Sequence, residues 1–214
     1  MSPRRQTAGT MGIVAGIGLL ILTFLFFTSG ATPATFNDPG KALSFLKDSA
    51  GRLRMISYLA IITLATAIVF IAGLASVLHD KAPTRATAAL YFGLVGMAGH
   101  TFAAFTYLFA HPWLVATAAT DPVSAAHAYV AVNGLSMAMD SIGNFFVGLS
   151  TLMAGWAITA TQSLGMALGW FGVLTGVVAG LAGLVPQVGA LYMGSFVLPM
   201  VWLVWAGSAL RKVA

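Results

Sequence analysis

From Met55 to Val77 the chain runs 23 residues without a charged side chain, and comparable apolar stretches recur along its length. About 20 residues at 1.5 Å each cross the hydrocarbon of a bilayer, and there every backbone N–H and C=O must find a partner within its own segment, which a helix provides. Six such spans are expected, at about 11–29, 55–78, 86–110, 135–160, 164–185 and 188–210. Composition agrees. Charged residues make up 7% of the chain and hydrophobic residues 59%, where a water-soluble globule carries roughly 25% charged residues. The expected fold class is all-α: a polytopic transmembrane bundle of six helices, with one or two short interfacial helices on the outer side. The connections are too short to hold a soluble domain, so residues 1–214 form one unit.

Several function classes fall away at this point. The formal charge of +5 is carried by Lys and Arg at segment ends, where they set orientation, so the expected partner is the lipid bilayer and not nucleic acid. The absence of cysteine excludes disulfides, thiolate metal sites and a cysteine nucleophile. No lysine lies inside an apolar segment, which excludes a Schiff-base pigment. There is no HExxH, phosphate-binding glycine loop, Ser-His-Asp order or carboxylate pair. An enzyme is therefore not expected, and no cofactor is required.

The first apolar run follows Arg4-Arg5 and reads as a retained helix or as a signal peptide with small residues at Ser29-Gly30-Ala31. Its bulky end, Phe24-Leu25-Phe26-Phe27, favours the retained helix. Gly12 and Gly16 give it a small face for close packing. Asn37-Asp38-Pro39 then offers a cap with proline at the first helical position. Beyond it, Ala42, Leu43, Phe45 and Leu46 oppose Lys41, Lys47 and Asp48, the pattern of a short helix lying on the membrane surface as a cover. The third span holds Gly93, Gly96 and Gly99, and the fifth holds Gly172, Gly176 and Gly180 as a double GxxxG. Both patterns let another backbone approach closely, as a glycine zipper within the bundle or at a dimer seam. A loop is expected from His111-Pro112-Trp113 to a second cap at Asp121-Pro122.

The fourth span carries the chemistry. At 100° per residue, Asn133, Ser136, Asp140, Asn144 and Thr151 fall within about 40° of Asp140 on a helical wheel. Lipid cannot hydrogen-bond such groups, so this face must turn to other helices or to a cavity. Asp140 is the one acid in any apolar segment, and His100 is the second intramembrane ionisable group. Tyr107 and His111 follow His100 at offsets of 7 and 11 residues, which places the three on one face. An unbroken helix from Pro122 to Thr161 would be about 60 Å long, twice the hydrocarbon, so a hinge is expected at Asn133-Gly134. The candidate ligand-binding set is Asp140, His100, Asn144, Asn133, Ser136 and Tyr107. His111, His127 and Asp121 form a second, metal-binding candidate at the outer surface. A bis-histidine haem is disfavoured because no other histidine lies at the depth of His100, though a single-ligand haem or pigment carrier through His100 stays open.

From Arg52 to about Leu184 the chain resembles a group of six-helix bacterial membrane proteins defined as a domain of unknown function. The residues that carry the resemblance are Arg52-Leu53, Asn144-Phe145-Phe146-Val147-Gly148-Leu149, Gly155, Ser163-Leu164 and Leu168-Gly169-Trp170. Gly165-Met166-Ala167 stands where such proteins have a basic, proline-containing turn. The resemblance implies a bacterial inner membrane and supplies no activity. With six spans, Arg4, Arg5, Lys81, Arg85, Arg211 and Lys212 share one side, against Lys41, Lys47, Arg52 and Arg54 on the other, which favours cytoplasmic termini. The functional expectation is a non-enzymatic accessory or scaffold subunit, or a homo-oligomer joined through glycine faces. The alternative is a small-molecule or proton-coupled transporter or binding protein with its pocket at Asp140, His100 and Asn144.

Overall fold

A computed structural model describes residues 3–30 and 32–212, with the side chains of all of these except Pro33 and Ala34. Ala31 of the small-residue site considered for signal cleavage lies outside the described residues. Helix is the only regular structure among them: α1 (Pro3–Phe27), α2 (Pro33–Asn37), α3 (Pro39–Asp48), α4 (Ala50–His79), α5 (Pro83–Phe105), a π turn (Thr106–Ala110), α6 (His111–Ala118), α7 (Pro122–Thr161), α8 (Met166–Leu184) and α9 (Gly189–Lys212). Six stretches are long and apolar enough to cross a membrane, counting α5 to α6 as one. Each packs on its neighbour in sequence and α9 closes back on α1, so the spans form a ring in chain order.

Small residues set the spacing within that ring. A methyl group built on Gly155 of α7 would lie 2.6–2.7 Å from backbone atoms of Val173, Gly169 and Gly172 of α8. Gly148 meets the backbone at Gly180 and Gly176 in the same way. On the other side, Gly16 of α1 faces the Met200 carbonyl of α9, and Gly12 holds the Phe70 ring of α4. In lipid the hydrophobic effect does not drive helices together, so dispersion contacts from such close approach carry the association. Phe70, Leu74, Ile158, Leu168 and Trp202 fill the centre, with Phe70 and Trp202 edge to face at 5.7 Å.

Two expectations need correction. The fourth span has no hinge at Asn133-Gly134: α7 runs 40 residues unbroken, and Gly134 meets nothing within 4 Å. A glycine inside a helix costs about 1 kcal/mol, which the packing of α7 outweighs. The third span also does not end in a loop at His111. Pro112 has no N–H to give and its ring crowds the preceding turn. The chain widens there instead, with the His111 N–H bonding the Thr106 carbonyl five residues back, and helix continues to Ala118. Both spans, at 36 and 40 residues, are therefore longer than the hydrocarbon is thick.

The distal end of the bundle, opposite the termini, has its own core. Ala42, Leu43 and Leu46, the apolar face of α3, pack with Leu53, Leu114, Ala125 and Tyr129. So α3 is a cover, as its pattern predicts, but it covers protein. Both sequence-predicted caps form: the Asp38 carboxylate accepts from the Lys41 N–H at 3.1 Å and that of Asp121 from the Ser124 N–H at 3.0 Å. Arg52 ties the start of α4 to the end of α1 by donating to the Leu25 carbonyl and the Thr28 hydroxyl.

Candidate functional site

The site is built by the seam between α5 and α7. Gly93, Gly96 and Gly99 take up α7 one after another: methyls there would lie 2.9 Å from Ser150 Oγ, 2.7 Å from the Val147 nitrogen and 2.6 Å from the Met139 carbonyl oxygen. Ser150 Oγ also donates to the Ala89 carbonyl at 2.6 Å. With the two backbones in near contact, the short side chain of Asp140 reaches His100, and Nδ1 and Oδ1 stand 2.7 Å apart. Gly143, one turn past Asp140, makes the floor. A methyl there would lie 2.9–3.0 Å from atoms of the His100 ring.

A carboxylate can only accept from Nδ1–H, so Asp140 fixes the imidazole orientation and leaves Nε2 for a ligand or a second proton. The pair is partly open, with side-chain exposures of 21% for His100 and 37% for Asp140. That exposure separates it from a sealed structural tether.

The rest of the predicted ligand set divides. Ser136 is buried in the bundle, and Asn144 is half-buried one turn beyond Asp140. Asn133 contacts the Met137 sulfur at 3.6 Å. Tyr107 makes no hydrogen bond to the pair, though it lies within electrostatic reach of Asp140. It stands edge-on to His111 with ring centroids 4.4 Å apart, in a separate cluster with Tyr129. The π turn interrupts the 100° step on which the predicted common face of His100, Tyr107 and His111 rests.

The metal-binding candidate is likewise corrected. Among the described residues no three His, Asp or Glu side chains gather as a metal site. Asp121 is exposed and caps α7, and the Ser124 side chain and N–H hold its carboxyl below the usual range, with His127 adding a smaller pull. His111 is buried, only 3% exposed.

His111 instead lines a cavity of about 160 Å³ at the distal end, between α3, the start of α4 and the π turn. Lys47 and Arg54 stand at it, and neither makes an ion pair among the described residues. Sequence reasoning missed this cavity, since the two cations read only as orientation signals. It also missed Gly143, although that residue lies within 60° of Asp140 on the helical wheel.

A family model for a domain of unknown function, DUF4386, matches residues 14–207. The chain belongs to that family. The DUF4386 match is wider than the Arg52 to Leu184 stretch on which the resemblance rests, and it encloses both the His100–Asp140 pair and the His111 cavity. Comparison with curated proteins and with solved structures found no match.

Proposed function

We propose that this multi-pass membrane protein is a non-enzymatic carrier or binding protein that takes a small polar ligand, or a proton, at the His100–Asp140 pair. The observation that carries the reading is the 2.7 Å contact between Nδ1 and Oδ1 across α5 and α7, in a partly open site within apolar spans. Ionisable groups in membrane spans are costly and gather at pathways and proton relays. An Asp-oriented imidazole can gain or lose a proton at Nε2 without breaking its bond to the carboxylate. Asn144, one turn along, adds a donor and an acceptor for a polar ligand. A bacterial inner-membrane setting with cytoplasmic termini fits the six-to-four distribution of basic residues. Arg211 packing beside Gly9 puts both ends of the chain on one side of the bundle.

Infrared difference spectra of the protein in bilayers test this, scanned across the range where histidines ordinarily titrate. Carboxylate and imidazole bands should change together, and the joint change should vanish in both Asp140→Asn and His100→Gln. Bands that stay fixed through the scan, or that survive either substitution, would remove the reading.

The accessory or scaffold role is the second reading. Its glycine faces are engaged within one copy, so a partner would have to use outer faces, such as Trp170, Leu174, Val177 and Leu181 on α8. A native mass measurement of the protein extracted from its own membrane separates the two readings: a stable larger complex supports the scaffold, and a monomer opposes it.

A further inference from the structure

We infer that the distal cavity at His111 is a binding site for a phosphate-bearing anion, independent of the His100–Asp140 pair. Three observations converge on it. His111 is 3% exposed, and neither Nδ1 nor Nε2 has a hydrogen-bond partner among the described residues. A buried polar group without a partner costs free energy that a fold ordinarily avoids, and an imidazole always offers at least one N–H donor. His111 borders a cavity of about 160 Å³, large enough for a head group of several heavy atoms, with both ring nitrogens closed off from its open space.

The second observation is charge. Lys47 from α3 and Arg54 from α4 stand at the same cavity, both exposed, with no ion-pair partner and no acid in the lining. Two cations of different geometry suit an oxyanion: the guanidinium can bond two oxygens at once, while the ammonium takes one. The third is position. The span from Pro83 to Ala118 has 36 residues, about 54 Å, and the cavity lies at its distal end, which a bilayer centred on the apolar stretch 86–110 leaves at head-group level. Trp113, 60% exposed beside the cavity in sequence, fits an interfacial aromatic. Leu46 and Leu53 make the apolar part of the lining, which suits a phosphate attached to carbon.

The phosphate can belong to an anionic lipid or to a free phosphate ester, and the two are distinguished directly. The protein is placed in nanodiscs of phosphatidylcholine, with or without phosphatidylglycerol. Glycerol phosphate is added as the free probe to the discs that lack phosphatidylglycerol. Thermal unfolding and native mass spectrometry read protection and retained lipid. Stabilisation by phosphatidylglycerol with its retention, and none by glycerol phosphate, assigns the site to a lipid head group; the reverse assigns it to a soluble ester. Lys47→Gln with Arg54→Gln should weaken whichever binding is seen at least tenfold, about the loss expected for a charge-assisted hydrogen bond. Both residues are exposed, so these variants fold even if His111→Gln does not. Protection by neither probe, or binding that survives the double variant unchanged, overturns the inference.

Discussion

His100 and His111 lie on one continuous span, eleven residues apart, and the fold treats them in opposite ways. His100 is partly open to its surroundings and has a carboxylate at 2.7 Å, while His111 is almost fully buried and has no hydrogen-bond partner among the described residues. Ordinary stability would reverse that assignment, giving the partner to the buried ring. Replacing a satisfied polar group leaves its partner stranded, whereas replacing an unsatisfied one by an apolar ring of similar shape relieves a cost. The comparison teaches that the first histidine is held by the seam that packs the bundle, and the second is held against stability by the apolar cluster around it. Sites kept at a cost to stability are where binding is expected.

The strongest way to break the comparison is to force the seam apart. Gly99→Val places side-chain atoms against the Met139 carbonyl and the Gly143 backbone, neither of which can move without separating α5 from α7. Overpacking of this kind costs about 3 kcal/mol or more when backbone is the obstacle. Thermal unfolding in detergent should show a large drop, together with loss of the joint infrared change at the pair. A variant with unchanged stability would mean that the seam does not hold the pair.

A matched pair of substitutions sharpens the contrast with a smaller effect. His100→Phe strands Asp140 and should destabilise by about 0.5–1.7 kcal/mol, the range measured for interhelical hydrogen bonds in membranes. His111→Phe keeps the ring volume, removes two unsatisfied nitrogens and should be neutral or stabilising by up to about 1 kcal/mol. Equal losses from both changes would erase the distinction between the two histidines.

How much of this was legible in the sequence follows the same division. The six spans, both caps and the amphipathic α3 follow from local signals: run length, Asp-Pro pairs and a polar–apolar face. Asp140 and His100 were each readable as costly intramembrane groups, and the glycines of α5 and α8 as close-packing faces. Their meeting depends on α5 lying beside α7, which periodicity does not specify. The π turn was not legible, because Pro112 reads equally as a loop signal and as a distortion within a helix. The burial of His111 was therefore hidden, since it depends on α3 folding over protein and on α7 continuing past Gly134. Local punctuation argued for breaks at both places, and tertiary packing overrode it.

Gly134 itself gives a milder test of the distal region. Its surroundings are open, and its backbone is not among the positive-φ positions, so Gly134→Ala should stabilise α7 by about 0.5–1 kcal/mol. A bend at Asn133-Gly134 that needs the glycine would instead make this variant less stable.

The smallest effect belongs to the cap that starts α7. The Asp121 carboxyl is held below its usual range by the Ser124 side chain and N–H. A carboxylate favoured by folding contributes stability above the ordinary carboxylate value, and that contribution is lost as pH falls through its lowered folded value. Amide exchange at Ser124 should therefore quicken in acid below the normal carboxylate range, while amides beside Asp140 keep their protection. Asp121→Asn should flatten the acid response without touching the seam. The consequence is specific to the distal end, because α7 reaches His111 through Tyr129, two turns beyond this cap. If loosening the cap changed the infrared bands of the His100–Asp140 pair as much as it changed anion binding at His111, the two histidine sites would be one coupled system.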